Sequence, residues 1–141
     1  MTTPVYRFRG IRGATTVERD EAQLICEATQ ELLTELLHHN QTTPAQIVSA
    51  VFTVTPDLRS EFPARAARDL GWHEVPMLCA TEMAVPGALT RCIRVLLHVE
   101  FLEGHAAVQP VYLRGATALR PDVVPPPSPR SPPVPDLRVT P

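Results

Sequence analysis

Apolar side chains recur at helical spacing over residues 20–40, which predicts one long amphipathic helix with Asp20 as its N-cap. The stripe that would face a core comprises Ala22, Ile25, Leu32, Leu33, Leu36 and Leu37. Residues 47–55 and 91–101 are instead continuous apolar and β-branched runs, which are typical of strands buried on both sides. Weaker patterns predict strands over 5–17, 74–83 and 108–120, a helical turn after Thr43 and a short helix over 62–72.

The order of these elements indicates an α+β domain in which a mixed β-sheet is packed with helices on one face. One long helix cannot cover both faces of such a sheet, and the two continuous apolar strands leave a second face to bury. We therefore expect an oligomer whose subunits cover each other's sheets.

The first predicted strand raises a question about charge. Strict alternation places Tyr6, Phe8 and Ala14 on one face, which we interpret as the core face, and Arg12 falls on that same face. An arginine keeps its charge inside a protein, and a buried charge without a partner is costly. Arg12 therefore needs a negative group opposite it.

Length and charge exclude several classes of protein. The 141 residues suffice for one domain, and the net charge of -2 provides no basic field for nucleic acid. No apolar run is long enough to cross a membrane, and the N-terminus lacks the basic-then-apolar order of a signal peptide. The three cysteines form no CxxC motif and cannot all pair within one chain, so we expect a reducing, cytoplasmic location. From the charge and the hydropathy we expect that the protein binds neither nucleic acid nor membrane.

All 13 basic residues are arginine, and lysine is absent from the chain. This absence excludes a Schiff-base lysine, a lysine-linked pyridoxal cofactor and a P-loop. The histidines show no metal-ligand spacing, and no glycine-rich dinucleotide loop occurs. We therefore expect neither a metal ion nor a cofactor.

The composition changes sharply toward the C-terminus. Residues 121–141 hold 9 of the 16 prolines, which disfavours helix and central strand and is typical of polyproline-II or disordered segments. We predict a folded domain over 1–122 and a proline-rich tail over 123–141.

Charged side chains within apolar segments are the candidate chemistry. Arg12, Arg94 and Arg120 each lie beside apolar residues, and so does Glu82. Any one of them alone would most simply be a solvated edge or a structural ion pair. Guanidinium groups bind carboxylates in a bidentate manner, however, and several arginines with one carboxylate in an apolar cleft suit a small dicarboxylate that carries a hydroxyl group.

Five segments of the chain occur in an order and with gaps that resemble one enzyme family. They are RGIRGATTVERD, TPDLRSEFPARAARDLGW, VPMLCATEM, GALTRCIRV and VYLRGATALRPD. Over residues 7–122 the chain thereby resembles the monofunctional chorismate mutases of the AroH class. The resemblance implies an isomerase that converts chorismate to prephenate by a Claisen rearrangement, in phenylalanine and tyrosine biosynthesis. It also implies a homotrimer with a pseudo-α/β-barrel core, active sites between adjacent subunits, and no cofactor or metal.

The same resemblance implies a role for each matching residue. Arg94 would lie against the ether oxygen of chorismate, and Arg12 would hold a substrate carboxylate beside it. Glu82 and Cys79 would contact the ring hydroxyl, and Tyr112 would contact a carboxylate. The pocket wall would comprise Phe62, Ala64, Met77, Leu78 and Leu119, and the mouth that attracts the dianion would carry Arg65, Arg68 and Arg120. On this interpretation the partner of Arg12 is a substrate carboxylate in a cleft.

Two positions depart from the family pattern, and two other functions stay open. The chain has Arg65 where the family often has lysine, and Leu78 where it often has threonine. The main alternative function is a trimeric carboxylate-binding protein of the reactive-intermediate deaminase type, which would not need both Arg94 and Glu82 beside Arg12. An interaction module that acts through the proline-rich tail is a further alternative.

Overall fold

The computed structural model describes residues 3–105 and 107–122, which form a five-stranded mixed sheet with helices on one face. The predicted tail over 123–141 lies outside these residues. The strands are β1 Tyr6–Thr16, β2 Ile47–Val54, β3 Met77–Thr81, β4 Cys92–Leu102 and β5 Val111–Tyr112. The helices are α1 Ala22–His39 and α2 Pro63–Asp69, with short 3-10 helices at Pro44–Gln46 and Arg114–Leu119.

The strands lie in the order β3-β2-β4-β1-β5. Strand β4 runs antiparallel to both β1 and β2, whereas β3 is parallel to β2 and β5 is parallel to β1. The mixed sheet of the predicted α+β fold is confirmed. None of the helices in the described ranges is long and apolar enough to cross a membrane.

Helix α1 covers the middle of the sheet with the stripe that its spacing predicts. Its buried residues include Ile25, Leu32, Leu33 and Leu36. Leu32 and Leu36 share one buried cluster with Ile11 of β1, Phe52 of β2 and Leu97 of β4. Full burial of one such side chain contributes about 1.5–3 kcal/mol, so this contact between helix and sheet stabilises the fold.

The core face of β1 is opposite to the one that its alternation predicts. Ile11 and Gly13 face α1, and a Cβ atom on Gly13 would lie 2.7 Å from Cδ1 of Leu36. The helix thus approaches too closely for a side chain at this position. Tyr6 and Phe8 stay 54% and 70% exposed. The interpretation of their face as the core face is wrong. The true core face carries Gly13, which has no side chain, so the alternation of apolar residues does not reveal this face.

Much of the other face of the sheet is left uncovered by the described residues, although Ala14 and Tyr112 at one end of it are buried against Ala116. Arg12 is exposed on this face, next to Leu96 of β4. Phe8, Leu78 and Leu102 also expose large apolar side chains here. One face covered by helices and one open apolar face agree with the expectation that a second surface remains to be buried.

The prediction of one strand over 108–120 is wrong for most of that range, because the strand ends at Tyr112. Strand β5 contains two residues, and Arg114 then adopts a φ of +53°, which ends the extended conformation. The backbone N–H of Gly115 donates to Oγ1 of Thr16 at 3.0 Å, and the 3-10 helix Arg114–Leu119 follows. The alternating apolar residues of this stretch therefore pack a turn against β1 and do not extend the sheet.

The start of α1 also differs from the expectation. The N-cap residue is Glu21 and not Asp20. The Asp20 carboxylate instead accepts hydrogen bonds from the backbone N–H groups of Arg59 at 2.9 Å and Ser60 at 3.0 Å. These hydrogen bonds hold the pKa of Asp20 below its usual value. Asp20 thereby ties the start of α1 to the loop that precedes α2.

Candidate functional site

The register of three neighbouring strands places Arg94 and Tyr112 on either side of Ala14. Ala14 of β1 pairs with Arg94 of β4 and with Tyr112 of β5, so the three residues form one row on the open face. Ala14 is fully buried, whereas Arg94 is exposed. Arg12 lies two residues earlier on β1 and projects to the same face. The structure therefore brings together three of the predicted site residues.

Glu82 reaches this row from the end of β3. Its Oε2 lies 3.3 Å from Nε of Arg94 and accepts a 2.5 Å hydrogen bond from Oγ1 of Thr53. Thr53 is the register partner of Arg94 in β2. The backbone N–H of Glu82 donates to the carbonyl of Val54 at 2.8 Å, so its main chain is held as well. A carboxylate and a guanidinium that lie in separate segments of the sequence are thus adjacent.

Hydrogen bonds to one aspartate fix the start of β4, two residues before Arg94. The carboxylate of Asp57 accepts from the backbone N–H of Arg91 at 2.9 Å and from Oγ1 of Thr55 at 2.5 Å. Thr55 Oγ1 in turn accepts from the backbone N–H of Cys92 at 2.9 Å. Arg91 has a φ of +48°, a conformation that a non-glycine residue keeps only when its surroundings enforce it. This network sets where the strand that carries Arg94 begins.

Cys92 lies close to Arg94 but adds no charge there at neutral pH. Burial raises the pKa of the Cys92 thiol to about 11, although the neighbouring Arg94 cation acts in the opposite direction. The thiol therefore serves as a neutral packing group beside the guanidinium.

The segment after β5 folds over the same row. Leu119 packs with Ala14 and Tyr112. Arg120 donates to both carboxylate oxygens of Asp122, from Nε at 3.1 Å and from Nη2 at 2.9 Å. This pairing, with a smaller contribution from the Arg12 cation, holds the pKa of Asp122 below its usual value.

Arg12 itself forms no salt bridge with any residue that the structure describes. Its guanidinium is therefore a cation without a tight side-chain partner, on a face that also carries Arg94. The set on this face is called the arginine cluster below and comprises Arg12, Glu82, Arg94, Tyr112, Leu119 and Arg120.

A cavity of about 330 Å³ lies where the end of β2, the start of α2 and β3 meet. Phe62 and Cys79 line it, and Phe62 is 65% exposed. Burial raises the pKa of the Cys79 thiol, while the backbone N–H of Ala64 and the cation of Arg68 oppose the rise. This second set, called the α2 pocket below, comprises Phe62 and Cys79, which line the cavity, together with Ala64 and Arg68 of the adjoining helix α2.

Three further predicted residues, on α2 and β3, belong to neither set. Arg65 is exposed and forms ion pairs with Glu61 at 3.5 Å and Asp69 at 3.9 Å. Met77 packs against the main core, whereas Leu78 is 72% exposed on the open face. Since Glu61 lines the cavity, Arg65 lies beside the cavity with its charge partly compensated.

Within one chain the predicted residues form two groups and not a single site. Cys79 packs toward the helix-covered core, and Arg94 projects from the open face, so the sheet separates them. Across residues 3–105 and 107–122, no three histidine, cysteine or acidic side chains gather in a way that could hold a metal ion.

Sequence reasoning missed two side chains that organise the arginine cluster, Thr53 and Asp57. Both belong to the stretch TVTPDL, in which two threonines stand at the end of a continuous apolar strand and an aspartate follows it. Polar residues at the end of a buried strand are a signal for such a site, but their partners come from β3 and β4 and become visible only in the fold.

Comparison with known proteins identifies one family. A family model described as chorismate mutase type I matches residues 8–123. The chorismate mutase AroH of Bacillus subtilis (strain 168) is 45% identical over 117 residues, which cover 82% of this chain and 92% of that protein. The chorismate mutase AroH of Thermus thermophilus is 51% identical over 116 residues, covering 82% and 95%. A solved chorismate mutase from Clostridium thermocellum has a TM-score of 0.73 at 42% identity, covering 78% of this chain and 98% of that one.

Proposed function

The chain belongs to the chorismate mutase type I family, and we propose that its arginine cluster, completed by the α2 pocket of a neighbouring subunit, converts chorismate to prephenate. The sequence resemblance implies the same activity. The observation that carries the proposal is the contact between Arg94 and Glu82 on a face where Arg12 has no salt-bridge partner among the described residues.

The rearrangement needs restraint and charge from the protein. One carbon–oxygen bond breaks while one carbon–carbon bond forms, no proton moves and no nucleophile attacks. The enzyme can therefore lower the barrier by holding the flexible enolpyruvyl arm over the ring. It can also place fixed charge where negative charge develops.

Arg94 is the residue that we assign to the ether oxygen. This oxygen gains negative charge as its bond to the ring breaks, so a cation already in place stabilises the transition state more than the ground state. Arg94 projects from the central strand β4, and Glu82 contacts it at 3.3 Å. Its position is thus fixed before the substrate binds, which is what preorganised electrostatic stabilisation requires.

Arg12, Tyr112 and Arg120 are assigned to the two carboxylates of chorismate. Arg12 has no salt bridge among the described residues, and Tyr112 lies across Ala14 from Arg94. Arg120 is held by the exposed Asp122, a surface pair of small net energy that an incoming dianion can replace. These contacts would hold the substrate in the folded conformation from which it reacts.

The α2 pocket completes the site only if it comes from a second subunit. Cys79 and Arg94 lie on opposite sides of one sheet, and the open face carries the exposed apolar side chains Phe8, Leu78 and Leu102. Packing this face against neighbouring copies in a homotrimer buries that surface and brings one chain's arginine cluster to another chain's α2 pocket. Arg65 and Arg68 would then lie at the mouth, and Phe62 and Ala64 in the wall.

The test of the activity is the fall of chorismate absorbance at about 274 nm on addition of the purified protein without cofactor. The Arg94→Ala variant provides the matched control for a contaminating mutase. Loss of absorbance with the wild type and not with the variant is expected. An unchanged absorbance with folded wild-type protein would overturn the proposal and favour the carboxylate-binding alternative.

Mixed trimers test the composite site. Arg94→Ala and Arg68→Ala chains, each of low activity, are unfolded together and refolded as a mixture. In random trimers about a quarter of the sites combine an intact Arg94 from one chain with an intact Arg68 from its neighbour. Activity should therefore return to about a quarter of the wild-type value. If every site lay within one chain, the mixture would be no more active than its components.

A further inference from the structure

Thr53 makes the shortest hydrogen bond to the side chain of Glu82, through its hydroxyl group. We infer that Thr53 is a positioning residue for the rearrangement: it holds Glu82 so that the carboxylate supports Arg94 without closing over the guanidinium. The inference rests on the proposed function, since it concerns how the Arg94 cation stays available to the ether oxygen.

The two contacts of Glu82 converge on one oxygen and differ in length. Thr53 donates to Oε2 at 2.5 Å, within the range of strong hydroxyl–carboxylate hydrogen bonds. The nearest approach of Arg94 to the same oxygen is 3.3 Å, longer than the 2.7–2.9 Å typical of a charge-assisted N–H···O bond. Glu82 therefore lies closer to the hydroxyl of Thr53 than to the guanidinium of Arg94.

Thr53 is itself firmly placed. It lies in β2, which is paired on both sides, with Ala80 of β3 and with Arg94 of β4. A β-branched side chain in a strand has few χ1 rotamers, so the hydroxyl needs little ordering to reach Glu82. The backbone N–H of Glu82 is also bonded to Val54, the residue after Thr53. Two adjacent residues of β2 thus hold the main chain and the side chain of Glu82.

The hydrogen bond from Thr53 limits how far Glu82 neutralises the positive charge of Arg94. A carboxylate free to rotate beside a guanidinium favours a bidentate pair, in which two N–H groups are consumed and the cation is neutralised locally. The hydroxyl of Thr53 competes for Oε2 and keeps the Arg94–Glu82 contact long. Oε1 of Glu82 has no hydrogen bond to any described residue and stays free for a donor on the substrate.

Thr53→Val is the decisive substitution because it keeps the shape and removes the donor. Loss of a hydrogen bond to a charged group corresponds to a fall in kcat of about tenfold to a hundredfold. KM should change less, because the carboxylate-binding arginines are untouched. Thr53→Ser keeps the hydroxyl and is the matched control, with kcat expected within about threefold of the wild type. Unchanged kcat in Thr53→Val, or an equal loss in Thr53→Ser, would overturn the inference.

A double-mutant cycle shows whether Thr53 acts through Glu82. In a Glu82→Ala background, Thr53→Val should cause no further loss, because the hydrogen bond is already absent. The same loss in both backgrounds would contradict a role through Glu82. Folding is checked by thermal unfolding followed through the fluorescence of Trp72. If Thr53→Val does not fold, the comparison of Thr53→Ala with Thr53→Ser replaces it and is judged in the same way. A wild type without mutase activity would refute the proposed function, whereas an active wild type with insensitive variants refutes only this inference.

Discussion

Replacing Arg94 by citrulline separates the charge of this side chain from its shape. Citrulline keeps the length and the planar end of arginine but is neutral, so packing on β4 is unchanged. The closest charged neighbour is Glu82, at 3.3 Å, and the Arg94 side chain is 51% exposed. The substitution therefore removes one cation from the open face and leaves one carboxylate there.

The expected loss has two parts. Removing one preorganised donor from a developing oxyanion typically costs about 3–4 kcal/mol, which is about a hundredfold to a thousandfold in kcat. Two unit charges 3.3 Å apart interact by about 5 kcal/mol at an effective dielectric constant of about 20, before solvent screening reduces this. Because Glu82 loses that compensation, it opposes negative charge on the ether oxygen. The loss in kcat should therefore reach or exceed the upper end of the hundredfold to thousandfold range, about a thousandfold.

The assay is steady-state turnover of chorismate, with sedimentation to confirm that the assembly is unchanged. Citrulline at Arg19 is the matched control and should leave kcat unchanged. Arg19 is exposed, does not belong to the arginine cluster, and pairs with Glu21 at a distance of 2.8 Å. Adding Glu82→Gln to the Arg94 variant should recover part of the loss, because it removes the uncompensated carboxylate. Full activity of the neutral Arg94 variant would refute the electrostatic role of this residue.

Three further predictions concern packing, the C-terminal segment and pH. Gly13→Ala should lower the free energy of unfolding by about 1–3 kcal/mol in urea titrations, because its Cβ atom would lie 2.7 Å from Leu36; an unchanged value would mean that the helix yields freely. A chain ending at residue 124 should keep its kcat and KM, whereas one ending at 118 loses Leu119 and Arg120 and should show a raised KM; equal KM values would contradict their role. Asp20 has a lowered pKa in the folded state, so the stability that it contributes is complete above the ordinary aspartate pKa and is lost as the pH falls through the lowered value. The difference in free energy of unfolding between the wild type and Asp20→Ala should therefore be present at neutral pH and shrink in strong acid. A difference that does not change with pH would be inconsistent with this linkage.

The sequence by itself determined the elements whose signal is local. Helix α1 follows from the spacing of its leucines, and the two central strands follow from continuous apolar runs, because both patterns record burial along one element. The arginines and Glu82 became candidate site residues for a similar reason, since charge within apolar segments is visible without a fold. The matching segments also identified the family, which the comparisons confirm.

Only the tertiary structure decided features that depend on partners distant in the chain. Which face of β1 is the core was decided by α1, because Leu36 leaves room only for a glycine at position 13. The segment after β5 turns because Arg114 leaves the extended region and Gly115 bonds to Thr16, a contact between residues 99 apart in sequence. The role of Thr53 likewise exists only where β2, β3 and β4 meet. Local patterns show which side chains are unusual, whereas pairing across strands decides what each of them faces.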